Sequence, residues 1–330
     1  MTLLADNTRR ARRSSSLRLL VSRHPVAAFL TMVFVVNVAV ACVPVLTRND
    51  VLPIANMPLY GILGPIFGVA LPAFLVVAAA AGWTGVRELG SRCLRWRVDL
   101  KWYLVAFLSV PIATLLCATA VFGAELLDVL AARWTQLFTN VLPQLVVLIV
   151  FAIVAEEIGF MGFLQARWQD RFGPLKASVL VTVPFALYHV PNLMVESHLG
   201  FSKIFLLLAY LTILAVLQMF GRIVMMWLYN VTGSSVLLVG LWHSSFDATT
   251  TAFGRTFAIA GPVWKAELAG FWMPSAVVAV LAVLVVVLTH GRLAFRTEAA
   301  SLGRQPSSPA QKVSLDGSSH SQVTAKERAL

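Results

Sequence analysis

Charged side chains are scarce in this chain of 330 residues: only 12% are Asp, Glu, Lys or Arg, whereas 58% are hydrophobic. A soluble globular protein carries about twice that share of charge. The mean hydropathy of +0.81 agrees with this imbalance. The composition therefore excludes an ordinary soluble domain and indicates an integral membrane protein.

Cysteine is also scarce, with three residues in the whole chain. Cys42 and Cys117 fall in apolar stretches and Cys93 in a basic segment. Neither a CxxC pair nor a disulfide framework can be drawn from three such positions. The sequence therefore gives no sign of a disulfide-stabilised fold.

Long apolar runs stand where charge is missing. About 20 apolar residues cross a bilayer as a helix. Eight stretches of roughly that length can be placed, at 25–47, 59–81, 102–122, 136–158, 175–190, 203–230, 234–252 and 271–290. The predicted fold class is thus all-α, a polytopic membrane protein with about eight transmembrane helices.

The net charge of +11 raises the question of a nucleic-acid partner. Of the 26 Lys and Arg residues, 20 lie in the two terminal segments and the loops on their side, five lie in the opposite loops, and Arg222 lies within a span. Such a split is the positive-inside pattern, and it predicts that both termini are cytoplasmic. Membrane topology thus accounts for the basic excess, and no nucleic-acid partner is expected.

One membrane domain with two loose ends is the predicted organisation. Residues 1–24 form a basic cytoplasmic segment, and residues 25–292 form the transmembrane domain. Residues 293–330 form a cytoplasmic tail rich in Ser, Gln and Pro, with few large apolar residues. Such a composition cannot bury enough surface to fold alone, so we expect the tail to be disordered.

Acids and histidines nevertheless occur inside three of the apolar stretches. They are Glu156 and Glu157 in VAEEIGFMGF, His189 in FALYHVPN, and His243 and Asp247 in LWHSSFDA. An ionisable group in hydrocarbon is costly, so it usually marks a functional site. Carboxylates and imidazoles activate water or bind a transition metal. The sequence predicts an intramembrane hydrolase whose site lies in a polar cavity among predicted helices four to seven.

Helix geometry places these side chains at a common depth. With a rise of 1.5 Å per residue, Glu156, His189, His243 and Asp247 lie about 14–20 Å above the cytoplasmic ends of their helices. His243 and Asp247 are four residues apart and share a helix face. Glu156 and Glu157 are about 100° apart, so one acid is expected to face the chemistry and the other a supporting partner. For each histidine or Asp247 alone, a polar contact between helices is the competing interpretation, and for the acidic pair it is a solvated helix boundary.

Taken in order, the motifs resemble those of the CPBP family of intramembrane proteases. That family includes type II CAAX prenyl proteases and bacteriocin-processing or self-immunity proteins, and it carries EExxxR, FxxxH and HxxxN or HxxxD on successive membrane helices. This chain has Glu156-Glu157, Phe185 with His189, and His243 with Asp247 in the same order, within about 140–250. The run LYNVTGSS before the last motif is similar to the family's LYxxTGS turn.

The chain departs from the family pattern at one position. Met161 stands five residues after Glu156, where the motif has Arg, and a thioether cannot pair with a carboxylate. Arg222 lies about 18 Å above the cytoplasmic face, in the same layer as the acids. An unpaired intramembrane Arg is costly. Two alternatives follow: Arg222 pairs with one of the two acids, or it extends towards headgroups or water.

The resemblance implies hydrolysis of a peptide bond in a membrane-embedded or membrane-anchored substrate, with CAAX-type prenylated proteins as one class. In this scheme Glu156 and His189 activate the attacking water, while His243 and Asp247 orient or stabilise the developing oxyanion. A metal version is equally open, because His189, His243, Asp247 and Glu156 are side chains that suit Zn²⁺. The expected partners are the lipid bilayer and the peptide substrate.

Two other functions are compatible with the same side chains. One is a processing or self-immunity protein that acts on a bacteriocin-like peptide. The other is a transporter or noncatalytic scaffold whose polar residues line a solute or proton path. Internal symmetry between the two halves would favour a transporter, and the sequence shows none.

Overall fold

The computed structural model describes residues 16, 18–48, 66–190, 204–253 and 263–295. All regular secondary structure within these ranges is helical, in agreement with the predicted all-α class. Most of the predicted N-terminal segment, and the predicted tail from residue 296 onward, lie outside the described residues.

The helices of the described residues are numbered along the chain. They are α1 (Pro25–Arg48), α2 (Leu71–Cys93), α3 (Leu100–Phe122), α4 (Ala124–Arg133), α5 (Leu137–Phe172), α6 (Pro174–Tyr188), α7 (Ile204–Val231), α8 (Val236–Asp247) and α9 (Trp264–Leu288). Two of them contain π-helical turns, at Leu137–Val141, Ala152–Glu157 and Phe160–Gln165 in α5 and at Leu268–Trp272 in α9. Two further π-helical turns, Ile66–Ala70 and Ala248–Phe253, flank α2 and α8.

Within the described ranges, five helices are long and apolar enough to cross a bilayer. They are Phe67–Cys93, Leu100–Phe122, Leu137–Phe172, Ile204–Val231 and Trp264–Leu288. The other three predicted spans also fall on helices, α1, α6 and α8. With 15 residues, α6 is only about 22 Å long, which is shorter than the hydrocarbon core. The membrane-spanning character is therefore confirmed, whereas a count of eight spans is not.

The helix that contains the fourth predicted span extends beyond it. The apolar run was expected to end at 158, but α5 continues for four more turns through the polar segment ARWQDRF. Gly173, with φ at +82°, ends it, and Pro174 then starts α6 at once. The left-handed backbone of Gly173 allows this sharp reversal, which lays α6 beside the end of α5.

α5 lies at the centre of the described residues and packs against α2, α6 and α8. The turn that follows its two glutamates is apolar on all sides, and Phe160, Met161, Phe163 and Leu164 are fully buried. A glycine permits the closest approach to α8. A Cβ atom on Gly240 would fall on Ile153 Cγ1, far inside van der Waals contact. Only a residue without a side chain lets the two backbones come together here.

A proline in α3 helps to fix α8. Pro111 has no N–H, so the carbonyl of Phe107 one turn earlier lacks its helical donor. Ser245 Oγ of α8 donates to this carbonyl over 2.8 Å. The nearby indole of Trp242 also reaches α3 and donates to Ser109 Oγ over 3.2 Å. These two bonds hold the turn of α8 that carries His243.

Candidate active site

Two adjacent glutamates lie in the middle of α5, at a π-helical turn, Ala152–Glu157. Turns of this kind alter the direction of the side chains that follow and are frequent at functional sites. Glu156 is 7% exposed and Glu157 is fully buried. Glu156 lines the large cavity of the molecule, and Glu157 does not. The two acids thus face different surroundings, as their expected angular separation indicates.

Glu157 joins three helices through its two carboxylate oxygens. Arg222 Nη1 of α7 donates to Oε2 over 2.8 Å, and His243 Nδ1 of α8 donates to Oε1 over 2.8 Å. The Arg222 side chain is fully buried as well. Its guanidinium also stacks on the Phe185 ring of α6, with the guanidinium carbon 3.7 Å from the ring centroid. The sequence left open whether Arg222 pairs with an acid or extends towards headgroups or water. The geometry is that of a pair with Glu157.

Both histidines use one ring nitrogen as an anchor and turn the other towards Glu156. His189 Nδ1 lies 2.8 Å from the Phe185 carbonyl, which can only accept, so this nitrogen carries the proton. His243 Nδ1 is held by Glu157 in the same way. The free Nε2 atoms then lie 3.7 Å (His189) and 3.6 Å (His243) from the Glu156 oxygens. Glu156 is therefore flanked by two imidazoles of fixed orientation.

Asp247 lies one turn beyond His243, as its spacing predicts. Its Oδ2 is 3.6 Å from His243 Nε2, and its side chain is 31% exposed. Among the five predicted site residues it is the one most open to the cavity entrance. Its carboxylate thus lies on the same side of His243 as Glu156, opposite Glu157.

A cavity of about 560 Å³ opens in front of Glu156, a volume typical of ligand pockets. It lies among α5, α6, α7, α8 and α9. Predicted helices four to seven correspond to α5–α8, so α9 is a further wall that the sequence did not predict. Glu156, His189, His243 and Asp247 form its polar end. Its remaining surface is mainly apolar and includes Leu214, Leu217, Met225, Phe246, Phe271 and Val278.

Two residues that position this site, Asn37 and Gln165, were not predicted from the sequence. Asn37 of α1 donates to the Tyr188 carbonyl over 2.5 Å, directly before His189. Gln165 donates to the Arg222 carbonyl over 3.2 Å and holds the backbone of α7. Asn37 is a lone amide in an apolar helix, and that pattern was a usable signal. Gln165 lies in a polar stretch and gave no such signal.

Three of the described side chains lie close enough together to share a metal ion. The ligand atoms of Glu156, Glu157 and His243 all lie within 4.8 Å of one another. Two ligands of one zinc ion at about 2.1 Å would lie about 3.4 Å apart. The spacing of 3.6 Å between Glu156 and His243 Nε2 matches this value. Glu157 lies 2.8 Å from His243 Nδ1 and bonds Arg222, which suits a hydrogen-bonded carboxylate better than a ligand.

The donor set therefore fits a zinc ion only in part. Glu156 and His243 would be the first to hold it, and a bound zinc ion would supply an activated water. The other predicted ligands, His189 and Asp247, lie outside the close group found among the described residues. These distances leave both a metal-dependent and a metal-free site open.

The comparisons with known proteins bear on this same region. Residues 136–249 match the family model described as type II CAAX prenyl endopeptidase Rce1-like. No curated protein matches the chain. The matched segment runs from the start of α5 to just past α8, and all five predicted site residues and Arg222 lie within it. The part of the chain that builds the site is thus similar to the Rce1-like type II CAAX prenyl endopeptidase family, in line with the resemblance that the motifs indicate.

Proposed function

We propose that this protein is an intramembrane endopeptidase that hydrolyses a peptide bond of a membrane-anchored, CAAX-type prenylated substrate, with water activated by Glu156 and His189. The observation that carries the proposal is the position of the Glu156 carboxylate. It lies between the Nε2 atoms of His189 and His243, at 3.7 and 3.6 Å, at the polar end of a largely apolar cavity.

The gap between Glu156 and His189 suits a water molecule. A separation of 3.7 Å is too long for a direct hydrogen bond, and polar atoms at such distances are often bridged by water. A water held there meets two acceptors, because the proton of His189 is bound to the Phe185 carbonyl through Nδ1. Glu156 takes one proton as the oxygen attacks the scissile carbonyl carbon, and His189 Nε2 orients the other.

His243 is placed to stabilise the tetrahedral intermediate. When doubly protonated, its Nδ1–H is bound by Glu157 and its Nε2–H points towards the carbonyl oxygen of the substrate. Glu157 and Asp247 lie on opposite sides of this ring, so carboxylates balance its positive charge. Collapse of the intermediate breaks the C–N bond, and Glu156 returns the proton it took to the leaving amine.

The apolar part of the cavity supports a lipid-modified substrate. Each buried CH₂ group of a lipid chain contributes about 0.8 kcal/mol of binding free energy. Side chains such as Leu214, Leu217 and Phe271 offer an apolar wall beside the polar end of the site. A prenyl chain laid against this wall would hold the adjacent peptide bond at Glu156. The family match supports this substrate class for the domain.

A direct test uses the full chain reconstituted in liposomes, with an internally quenched peptide that ends in a farnesylated CAAX sequence. We expect peptide cleavage by the wild type and a loss of at least about 10³-fold in Glu156→Gln. The same peptide without the farnesyl group should be cleaved less efficiently because of a higher KM. Equal cleavage by wild type and Glu156→Gln would contradict the proposal.

A further inference from the structure

Two neutral side chains on the wall of the cavity each carry a polar atom that lacks a hydrogen-bond partner among the described residues. Gln218 Oε1 of α7 and Ser275 Oγ of α9 are both buried and unpaired. Both residues line the cavity that contains Glu156. Buried polar atoms are paired in most proteins, because an unpaired one loses its bonds to water without compensation. These two atoms are therefore candidates for pairing with a ligand.

Ser275 differs from most of the buried hydroxyl groups of the described helices. Such a side chain ordinarily donates to the carbonyl one turn earlier. Thr182, Ser244 and Thr249 do so over 2.9, 2.6 and 2.7 Å. Ser275 makes no such bond, although it is only 5% exposed. Its O–H remains free to donate elsewhere.

The backbone beside Ser275 adds a further acceptor. Pro274 has no N–H, so a carbonyl in the preceding turn of α9 lacks a helical donor. Gly270 in that turn lines the cavity and leaves the backbone uncovered by a side chain. This wall thus carries a hydroxyl donor, an amide oxygen acceptor on Gln218 and a carbonyl. A donor together with acceptors matches a peptide backbone, whereas an isoprenoid chain has no polar atom and a phosphate has no donor for Gln218.

The position of Gln218 on α7 relates this wall to the acid pair. It lies four residues before Arg222, which is one turn or about 6 Å along α7. Arg222 bonds Glu157, the neighbour of the proposed base. An extended peptide covers about 6 Å with two residues.

We infer that Gln218 and Ser275 form a subsite that binds the backbone of the substrate about two residues from the scissile bond. Gln218 Oε1 accepts from a peptide N–H, and Ser275 Oγ donates to a peptide carbonyl. This assignment rests on the proposed peptidase function. It makes both residues determinants of substrate binding that lie outside the acid–histidine set.

The experiment compares Gln218→Leu and Ser275→Ala with wild type in liposomes, using the farnesylated quenched peptide. A second peptide series carries a single N-methyl group at each amide from one to three residues on either side of the scissile bond. In wild type, one N-methyl position near the second residue should raise KM about 3- to 10-fold, with kcat little changed. The Gln218→Leu variant should show the same rise in KM with the unmodified peptide and no further rise with that N-methylated one.

Thr114→Val is the matched control. Thr114 Oγ1 of α3 is likewise buried and unpaired, but Thr114 does not line the cavity. Removing an unpaired buried hydroxyl should leave the thermal unfolding temperature the same or higher in both Thr114→Val and Ser275→Ala. Only Ser275→Ala should raise KM. If Gln218→Leu folds poorly, Gln218→Met keeps the unbranched shape and serves in its place.

The two hypotheses fail in different ways. A KM within twofold of wild type in both cavity variants, together with unchanged sensitivity to every N-methyl group, would overturn the subsite and leave the peptidase intact. Absence of any cleavage by wild type would overturn the peptidase proposal, and the subsite with it.

Discussion

The Arg222 guanidinium donates to Glu157 over 2.8 Å, and both side chains are completely buried. The family motif would place an arginine on the same helix as the two acids, and this chain has Met161 there. Arg222 brings the positive charge from α7 instead. In this chain the countercharge of Glu157 therefore comes from α7.

The first prediction concerns the removal of this charge. Arg222→Gln leaves Glu157 buried without a countercharge, and breaking a buried pair from one side costs about 3–5 kcal/mol. We expect a large fall in unfolding temperature and a loss of peptide cleavage. The double variant Arg222→Met with Met161→Arg returns the charge to the motif position on α5, and it should recover part of the stability. Failure of Arg222→Gln to lower stability would show that Glu157 does not need the pair.

The second prediction separates the roles of the two glutamates. Glu156 lines the cavity and has no bond shorter than 3.5 Å to either histidine, so Glu156→Gln should abolish cleavage while the unfolding temperature stays near the wild-type value. Glu157 holds both Arg222 and His243, so Glu157→Gln should destabilise the protein. Its residual cleavage should exceed that of Glu156→Gln. Thermal unfolding and cleavage rates of both variants decide this, and equal effects on both measures would contradict the division.

The sequence predicted the helical class and the residues of the polar end because both depend on local signals. Apolar runs define membrane helices, and an acid or histidine such as Glu156 or His189 inside such a run is conspicuous. It also predicted that Glu156 and Glu157 would face different surroundings. Cytoplasmic termini and a transmembrane domain at 25–292 stay predictions.

Other features depend on contacts that no local pattern encodes. The bond from Ser245 to the Phe107 carbonyl requires Pro111 and the docking of α8 on α3. Arg222 pairs with Glu157 rather than Glu156, and both acids lie in a π-helical turn of α5 that no local pattern indicates. The contribution of α9 to the cavity, through residues such as Ser275, follows from tertiary packing alone.

The third prediction concerns the contact between α5 and α8. A methyl group on Gly240 would overlap Ile153, so Gly240→Ala should push the two helices apart and destabilise the protein by about 1–3 kcal/mol. His243 lies one turn further along α8, and its distance from Glu156 should increase, with a fall in kcat. Gly90→Ala is the control, because a methyl group there meets nothing within 4 Å. Adding Ile153→Ala to Gly240→Ala should restore part of the activity. A Gly240→Ala variant that is as active and stable as Gly90→Ala would contradict the close contact between α5 and α8.

The last prediction concerns metal dependence, which decides how the water is activated. Glu157 and His243 Nδ1 are hydrogen-bonded at 2.8 Å, and Arg222 places a positive charge beside them. A cation bound at Glu156 and His243 would lie near the positive charge of Arg222, which opposes its binding. In the metal-free scheme both glutamates and both histidines already bind water, the substrate oxyanion or one another. We therefore expect purified protein to contain well under one zinc ion per chain and to retain its cleavage rate after treatment with a membrane-permeant chelator. Elemental analysis and the cleavage assay measure the two quantities on one sample. The opposite result would be one zinc ion per chain, with activity lost on chelation and restored by added Zn²⁺. It would identify Glu156 and His243 as ligands. Glu156→Gln would then lower the zinc content as well as the activity.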